Sequence, residues 1–138
     1  MLTPIGATSL FGTFIFIPSD VVKVTGLGVA AFGVSFSIWA RRQLGANWSG
    51  VPSLKKGHTL ITSGPYSFVR HPIYTGLLFG VIGSALVLGT LASLIVISLT
   101  IIMVLIRIPQ EEGLMKGEFG DAYIDYQKRA KAIIPWLL

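Results

Sequence analysis

The 138-residue chain contains no cysteine, which excludes a disulfide framework, thiolate metal ligands and a cysteine nucleophile. Charge is also scarce, at 12% of residues against about 25% in soluble domains. That argues against a water-soluble globule. Intrinsic disorder needs low hydrophobicity, and 52% of this chain is hydrophobic. Acids are almost missing from the first 110 residues, where Asp20 is the single example. Length allows one domain.

The charges that are present are grouped. Arg41, Arg42, Lys55, Lys56 and Arg70 lie in a middle segment, and Arg107, Lys116, Lys128, Arg129 and Lys131 in a C-terminal one. Five acids follow residue 110: Glu111, Glu112, Glu118, Asp121 and Asp125. Between the groups the chain is apolar, the pattern of an all-α polytopic membrane protein.

Ile73 to Ile106 runs 34 residues without a formal charge. One helix of that length would be roughly 51 Å long at about 1.5 Å per residue, against a hydrocarbon core of about 30 Å. The stretch therefore has to double back, with Gly89-Thr90 as the turn and a helical hairpin over 73–107. Both ends of the hairpin then share one side. Both basic groups lie there, which the positive-inside rule makes cytoplasmic. Val21–Ala40 reads as another span ending at Arg41-Arg42. Leu2–Ile17 reads as a shorter apolar span, with a signal peptide as its competitor. The expectation is about four transmembrane helices with both termini cytoplasmic. In that plan 1–40 holds the N-terminal helices and 41–72 a cytoplasmic loop. The hairpin follows, and 108–138 forms a cytoplasmic helical region. Gly76, Gly80, Gly83 and Ala85 have the spacing of close helix packing in lipid.

Polar chemistry is confined to the loop and the tail, which the topology brings to one membrane face. Gly64-Pro65 marks a turn. Pro72 suits the first turn of a helix, which sets Arg70 and His71 just before the start, where an anionic group is favoured. An interfacial anchor is the plainer reading of the same residues. Arg107 and Glu111 share a face if the helix continues past Pro109; Pro109 can also end it. Glu111 and Glu112 are successive, about 100° apart on a helix, so one is expected at a site and the other in solvent. Two histidines without thiols do not make a metal site. Tyr123, Tyr126 and the bases at 128–131 suggest an amphipathic interfacial helix, drawn to anionic lipid rather than to nucleic acid.

Two segments together carry a resemblance. Gly64-Pro65-Tyr66-x-x-Val69-Arg70-His71-Pro72-x-Tyr74-x-Gly76 comes first. Glu111-Glu112-x-Leu114 and Phe119-Gly120-x-x-Tyr123-x-x-Tyr126 follow. They resemble the isoprenylcysteine carboxyl methyltransferase family, which shares its pattern with the phospholipid N-methyltransferases. The resemblance runs from about Arg41 to Pro135. It implies an integral membrane enzyme that uses S-adenosylmethionine in a pocket at the cytoplasmic face. Its acceptor would be lipophilic, foremost the carboxylate of an isoprenylcysteine-like molecule. Carried onto matching positions, the cofactor contacts are His58, Thr59, Leu60, Ile61, Tyr66, His71, Pro72, Ile73, Tyr74 and Glu111. Arg107, facing the substrate, and Tyr74 are the candidate catalytic residues. The chain departs from the pattern at Val51-Pro52-Ser53, where members carry a glutamine, and at Gln110, where they carry an acid.

The chemistry of the residues agrees. Transfer from a sulfonium needs positioning and exclusion of water rather than a strong nucleophile. A carboxylate acceptor needs no base; an amine acceptor would call on His71 or His58. Two other classes share parts of the pattern. Membrane sterol-type reductases bind NADPH with a similar C-terminal arrangement, but need more basic contacts. A four-helix exporter needs an ionisable residue inside the membrane, and 73–106 has none.

Overall fold

The computed structural model describes residues 12–47, 57 and 59–135. Among these residues every named element is helical, as expected. Helix α1 (Asp20–Leu44) starts at Ser19, whose hydroxyl accepts from the Val22 amide, and ends with Arg41 and Arg42 in its last turn. Bases there complement the negative end of the helix dipole. Helix α2 (Pro72–Leu88) has Pro72 at its first turn and stops at Gly89. Gly89 takes φ 63°, a left-handed conformation that glycine adopts without a β-carbon penalty. Thr90 then caps helix α3 (Leu91–Phe119). The expected turn at Gly89-Thr90 is therefore present.

α1 and α2 pack antiparallel through glycines. A β-carbon on Gly33 would collide with the Gly76 carbonyl oxygen and the Gly80 amide nitrogen. One on Gly83 would strike the Ala30 backbone, and one on Gly26 would lie 2.7 Å from the Gly83 carbonyl oxygen. The small-residue reading thus holds for Gly76 and Gly83, but Gly80's own β-carbon would meet nothing within 4 Å. Ser37 fastens the lower end of this seam by donating its hydroxyl to the Ile73 carbonyl at 3.1 Å.

Three expectations need correction. Within the first apolar stretch, read as Leu2–Ile17, residues 13–17 form no helix. They strap the hairpin turn instead: the Ile15 amide donates to the Gly89 carbonyl at 2.8 Å, and the Leu91 amide to Thr13 at 2.9 Å. The remainder of that stretch lies outside the described residues. Second, the hairpin's second limb does not stop at 107. α3 runs through Pro109 to Phe119. Its 29 residues make a rod of about 44 Å, so its C-terminal part stands beyond an apolar layer of about 30 Å. Third, helix α4 (Asp121–Arg129) turns Tyr123 and Tyr126 inward, where they form a buried cluster with Ala130, against Leu60, Met115 and Phe119. The tyrosines serve internal packing, not a membrane-facing surface.

Asp20–Asn47 and Leu91–Phe119 are long and apolar enough to cross a membrane; Pro72–Leu88 is apolar and shorter. Val24, Leu27, Leu99 and Leu105 on α1 and α3 are each more than 60% exposed. A surface of that kind suits lipid, not water.

Candidate functional site

The two limbs of the hairpin rise from one turn. α2 has 17 residues, and the same number carries α3 from Leu91 to Arg107. The start of α2 is therefore level with Arg107, and the next turn of α3 presents Glu111 and Glu112. Pro109 does not prevent this. Its missing amide lies near the end of the apolar part, and the helix continues with Arg107 and Glu111 on one face.

Five side chains meet at this level. The Tyr74 hydroxyl accepts from Arg107 Nε at 2.7 Å and donates to Glu111 Oε1. Arg107 also pairs with Glu111 at 3.4 Å. His71, the residue before α2, is buried and stacks on the Tyr74 ring at a centroid distance of 5.9 Å. Its Nδ1 lies 3.6 Å from Glu111 Oε2 and its Nε2 3.1 Å from Glu112 Oε1. The expectation that only one of the two glutamates would face the site is thus incorrect. They diverge by about 100°, but His71 sits between them and presents a ring nitrogen to each.

Glu112 can only accept, so Nε2 carries a proton toward it, while Nδ1 faces the Glu111 carboxylate at 3.6 Å. Burial would lower the imidazole pKa, but the hydrogen bonds and charges of Glu111 and Glu112 outweigh it and raise the pKa above its ordinary value. The two carboxylates thus favour the charged form of His71.

The remaining polar contacts lock the chain ends around this cluster. Arg70 Nε donates to Glu112 Oε1 at 2.8 Å and Arg70 Nη2 lies 2.7 Å from it. Arg70 also donates to the Ala130 carbonyl. Gln127 donates to Glu112 Oε2 at 2.8 Å. The backbone joins in, with amides of Arg70 and His71 donating to Lys131 and Ala132 at 2.7 and 2.9 Å. The Thr75 hydroxyl donates to the Ile133 carbonyl at 2.7 Å.

Of the sequence-derived candidates, His71, Tyr74, Arg107 and Glu111 come together in one cluster. Pro72 is buried at the α2 start, and Ile73 engages Ser37. Tyr66 is buried beside the cluster, its carbonyl accepting from Tyr126 at 2.6 Å. Leu60 packs on the α4 tyrosines. Ile61 is half-buried. Thr59 is exposed and pairs with Asn47 through its amide and hydroxyl, at 3.1 and 3.2 Å. His58 lies outside the described residues. Glu112 is named in the motif but not among the expected site residues, and Gln127 is not named. Glu112 is hidden in sequence because an acid beside an acid reads as a solvated helix face, and Gln127 carries no signal at all. Arg70 had one, its place before Pro72.

Exposed apolar helices surrounding one ionic cluster at their common end define an all-helical membrane protein with a polar site at one edge of the apolar layer. The phospholipid methyltransferase family model matches residues 21–122. The chain belongs to that family. It is 34% identical over 119 residues to the protein-S-isoprenylcysteine O-methyltransferase of Schizosaccharomyces pombe, covering 84% of this chain and 50% of that one. The Mus musculus protein of the same name is 33% identical, with 84% and 42% covered. A solved structure of the eukaryotic intramembrane Ras methyltransferase, isoprenylcysteine carboxyl methyltransferase, superposes with a TM-score of 0.77 at 28% identity, covering 85% of this chain and 43% of that one. The chain thus spans half or less of the length of these relatives.

Proposed function

We propose that the protein transfers a methyl group from S-adenosylmethionine to the carboxylate of a lipophilic, isoprenylcysteine-like acceptor at the cytoplasmic membrane face, within a single membrane-embedded domain. The observation that carries the choice of acceptor is the setting of His71. A ring whose two nitrogens face carboxylates at 3.6 and 3.1 Å favours its charged form and is ill placed to act as a general base. Tyr74 already gives its proton to Glu111. No described side chain of the cluster is poised to deprotonate an amine, whereas a carboxylate acceptor is ionised at neutral pH and needs no base.

The donor set suits the cofactor. Its amino-acid end is a zwitterion, and the cluster offers an imidazolium and a carboxylate side by side, His71 and Glu111. Tyr66, Pro72, Ile73 and the stretch His58–Ile61 would enclose the remainder. When bound, the sulfonium supplies a methyl group that is already activated. The chain's own tasks are then to orient two reactants and keep water out. The Arg107 guanidinium would hold the acceptor's carboxylate by charged hydrogen bonds. Tyr74, fixed between Arg107 and Glu111, would keep the guanidinium aimed. The acceptor's apolar tail would approach through the lipid-exposed side. The basic residues at this end favour the cytoplasmic side.

The test is transfer of labelled methyl to a panel of prenylcysteine analogues and to a phospholipid extract. A base-labile methyl ester on the prenylcysteine supports the proposal. Label confined to base-stable N-methyl lipid, or no transfer from S-adenosylmethionine, contradicts it.

A further inference from the structure

We infer that Glu112 is a positioning residue that holds the His71 imidazolium in place and shuts the C-terminal segment against the start of α2, leaving its neighbour Glu111 for the ligand. The two adjacent carboxylates are used differently. Glu112 Oε1 takes Arg70 Nε at 2.8 Å, Arg70 Nη2 at 2.7 Å and His71 Nε2 at 3.1 Å, while Oε2 takes Gln127 at 2.8 Å. Three donors crowd Oε1 and a fourth takes Oε2, so Glu112 is spent mainly on protein donors. Glu111 differs. Its Oε1 holds Tyr74 and Arg107, but Oε2 meets His71 Nδ1 at only 3.6 Å, beyond hydrogen-bond range. Its side chain is 26% exposed against 14% for Glu112.

The need for such a residue follows from the position of His71. A cation at the start of a helix faces the positive end of its dipole, and this ring is also buried. Both effects favour the neutral ring. Arg70 alongside adds a like charge, and Arg107 adds another from beyond Glu111. The opposing charges come from α3 alone, as Glu111 and Glu112. α2 offers the Tyr74 ring, and α4 brings Gln127 onto Glu112 and Tyr123 beside Glu112 and Arg70. A ligand ammonium that drew Glu111 away would leave Glu112 as the single carboxylate keeping His71 charged. The same carboxylate fixes Arg70, whose guanidinium grips the Ala130 carbonyl, so the cation and the closed segment depend on one group.

The ligand half of this inference rests on the proposed cofactor; the charge half does not. The full chain in detergent micelles, labelled at histidine nitrogen, gives the His71 titration by NMR, with a His58→Asn chain for assignment. Glu112→Gln keeps the shape and removes the charge. It should lower the His71 pKa by about 1–2 units, the usual effect of losing one close opposite charge. Gln127→Ala, which loosens the latch and leaves the charge, should move it far less. S-adenosylhomocysteine affinity of Glu112→Gln should fall about tenfold near pH 7.5 and recover towards pH 6, where an imidazole of ordinary pKa is recharged. A purely structural loss would not recover. An unmoved His71 titration in Glu112→Gln, or an affinity loss that acid does not restore, overturns the inference. If the unmodified chain takes up no S-adenosylhomocysteine at any pH, the proposed function fails while the His71 titration still decides the charge assignment.

Discussion

The Tyr126 hydroxyl donates to the carbonyl of Tyr66, 60 residues earlier in the chain, at 2.6 Å. This bond joins α4 to the turn that precedes α2, and both tyrosines are buried. Replacing Tyr126 by Phe leaves that carbonyl without its partner. The expected cost is about 1–3 kcal/mol, read as a lower midpoint of thermal unfolding in detergent.

The glycine seam between α1 and α2 gives a paired expectation. Gly33→Ala drives a methyl group into the backbone of Gly76 and Gly80, which neither can move aside without parting the helices. Overpacking of this kind costs about 1–3 kcal/mol. Gly80→Ala meets open space and should be neutral or stabilising by up to about 1 kcal/mol, the helix preference for alanine over glycine. Thermal unfolding of the two variants should therefore move in opposite directions.

The pH dependence follows from His71, whose pKa is raised in the folded chain by Glu111 and Glu112 against the effect of burial. A group of this kind binds its proton more tightly when folded. Its contribution to stability is complete below the unfolded value, about 6.5, and is lost as pH rises through the folded value. Melting temperature should fall as pH rises beyond about 6.5, and this fall should shrink in His71→Gln. A fall of equal size in both chains would assign it to other groups.

Arg107 is expected to act on the acceptor more than on the cofactor. Arg107→Ala removes charged hydrogen bonds worth about 1.5–3 kcal/mol, about 10–150-fold in turnover. S-adenosylhomocysteine affinity, measured by calorimetry, should change much less. Equal loss in both would place Arg107 at the cofactor.

Much of this architecture was legible because apolar length and charge position are strong constraints. An uncharged run from Ile73 to Ile106 is too long for one span, so a turn at Gly89-Thr90 and contact between the start of α2 and Arg107 follow by arithmetic. Helix ends were less legible. Pro109 reads as a breaker, yet α3 passes through it because its lost amide costs little beside the contacts that Glu111 and Glu112 make one turn later. The expected helix over Leu2–Ile17 rested on hydrophobicity alone, which does not distinguish a helix from the strap formed at 13–17. Nor does sequence spacing reveal that one imidazole bridges two adjacent carboxylates. That arrangement depends on a ring supplied from another helix, and it made Glu112 look solvated when it is the most fully engaged acid in the cluster.

The account turns on whether the cluster of His71, Tyr74, Arg107 and Glu111 binds the cofactor. Calorimetric titration of the detergent-solubilised chain with S-adenosylhomocysteine tests this directly, with Glu111→Ala alongside. The expected result is saturable one-to-one binding that weakens by at least about tenfold in Glu111→Ala, the cost of one lost charged contact. Equal affinity in the two chains, or no binding to the unmodified one, would contradict it.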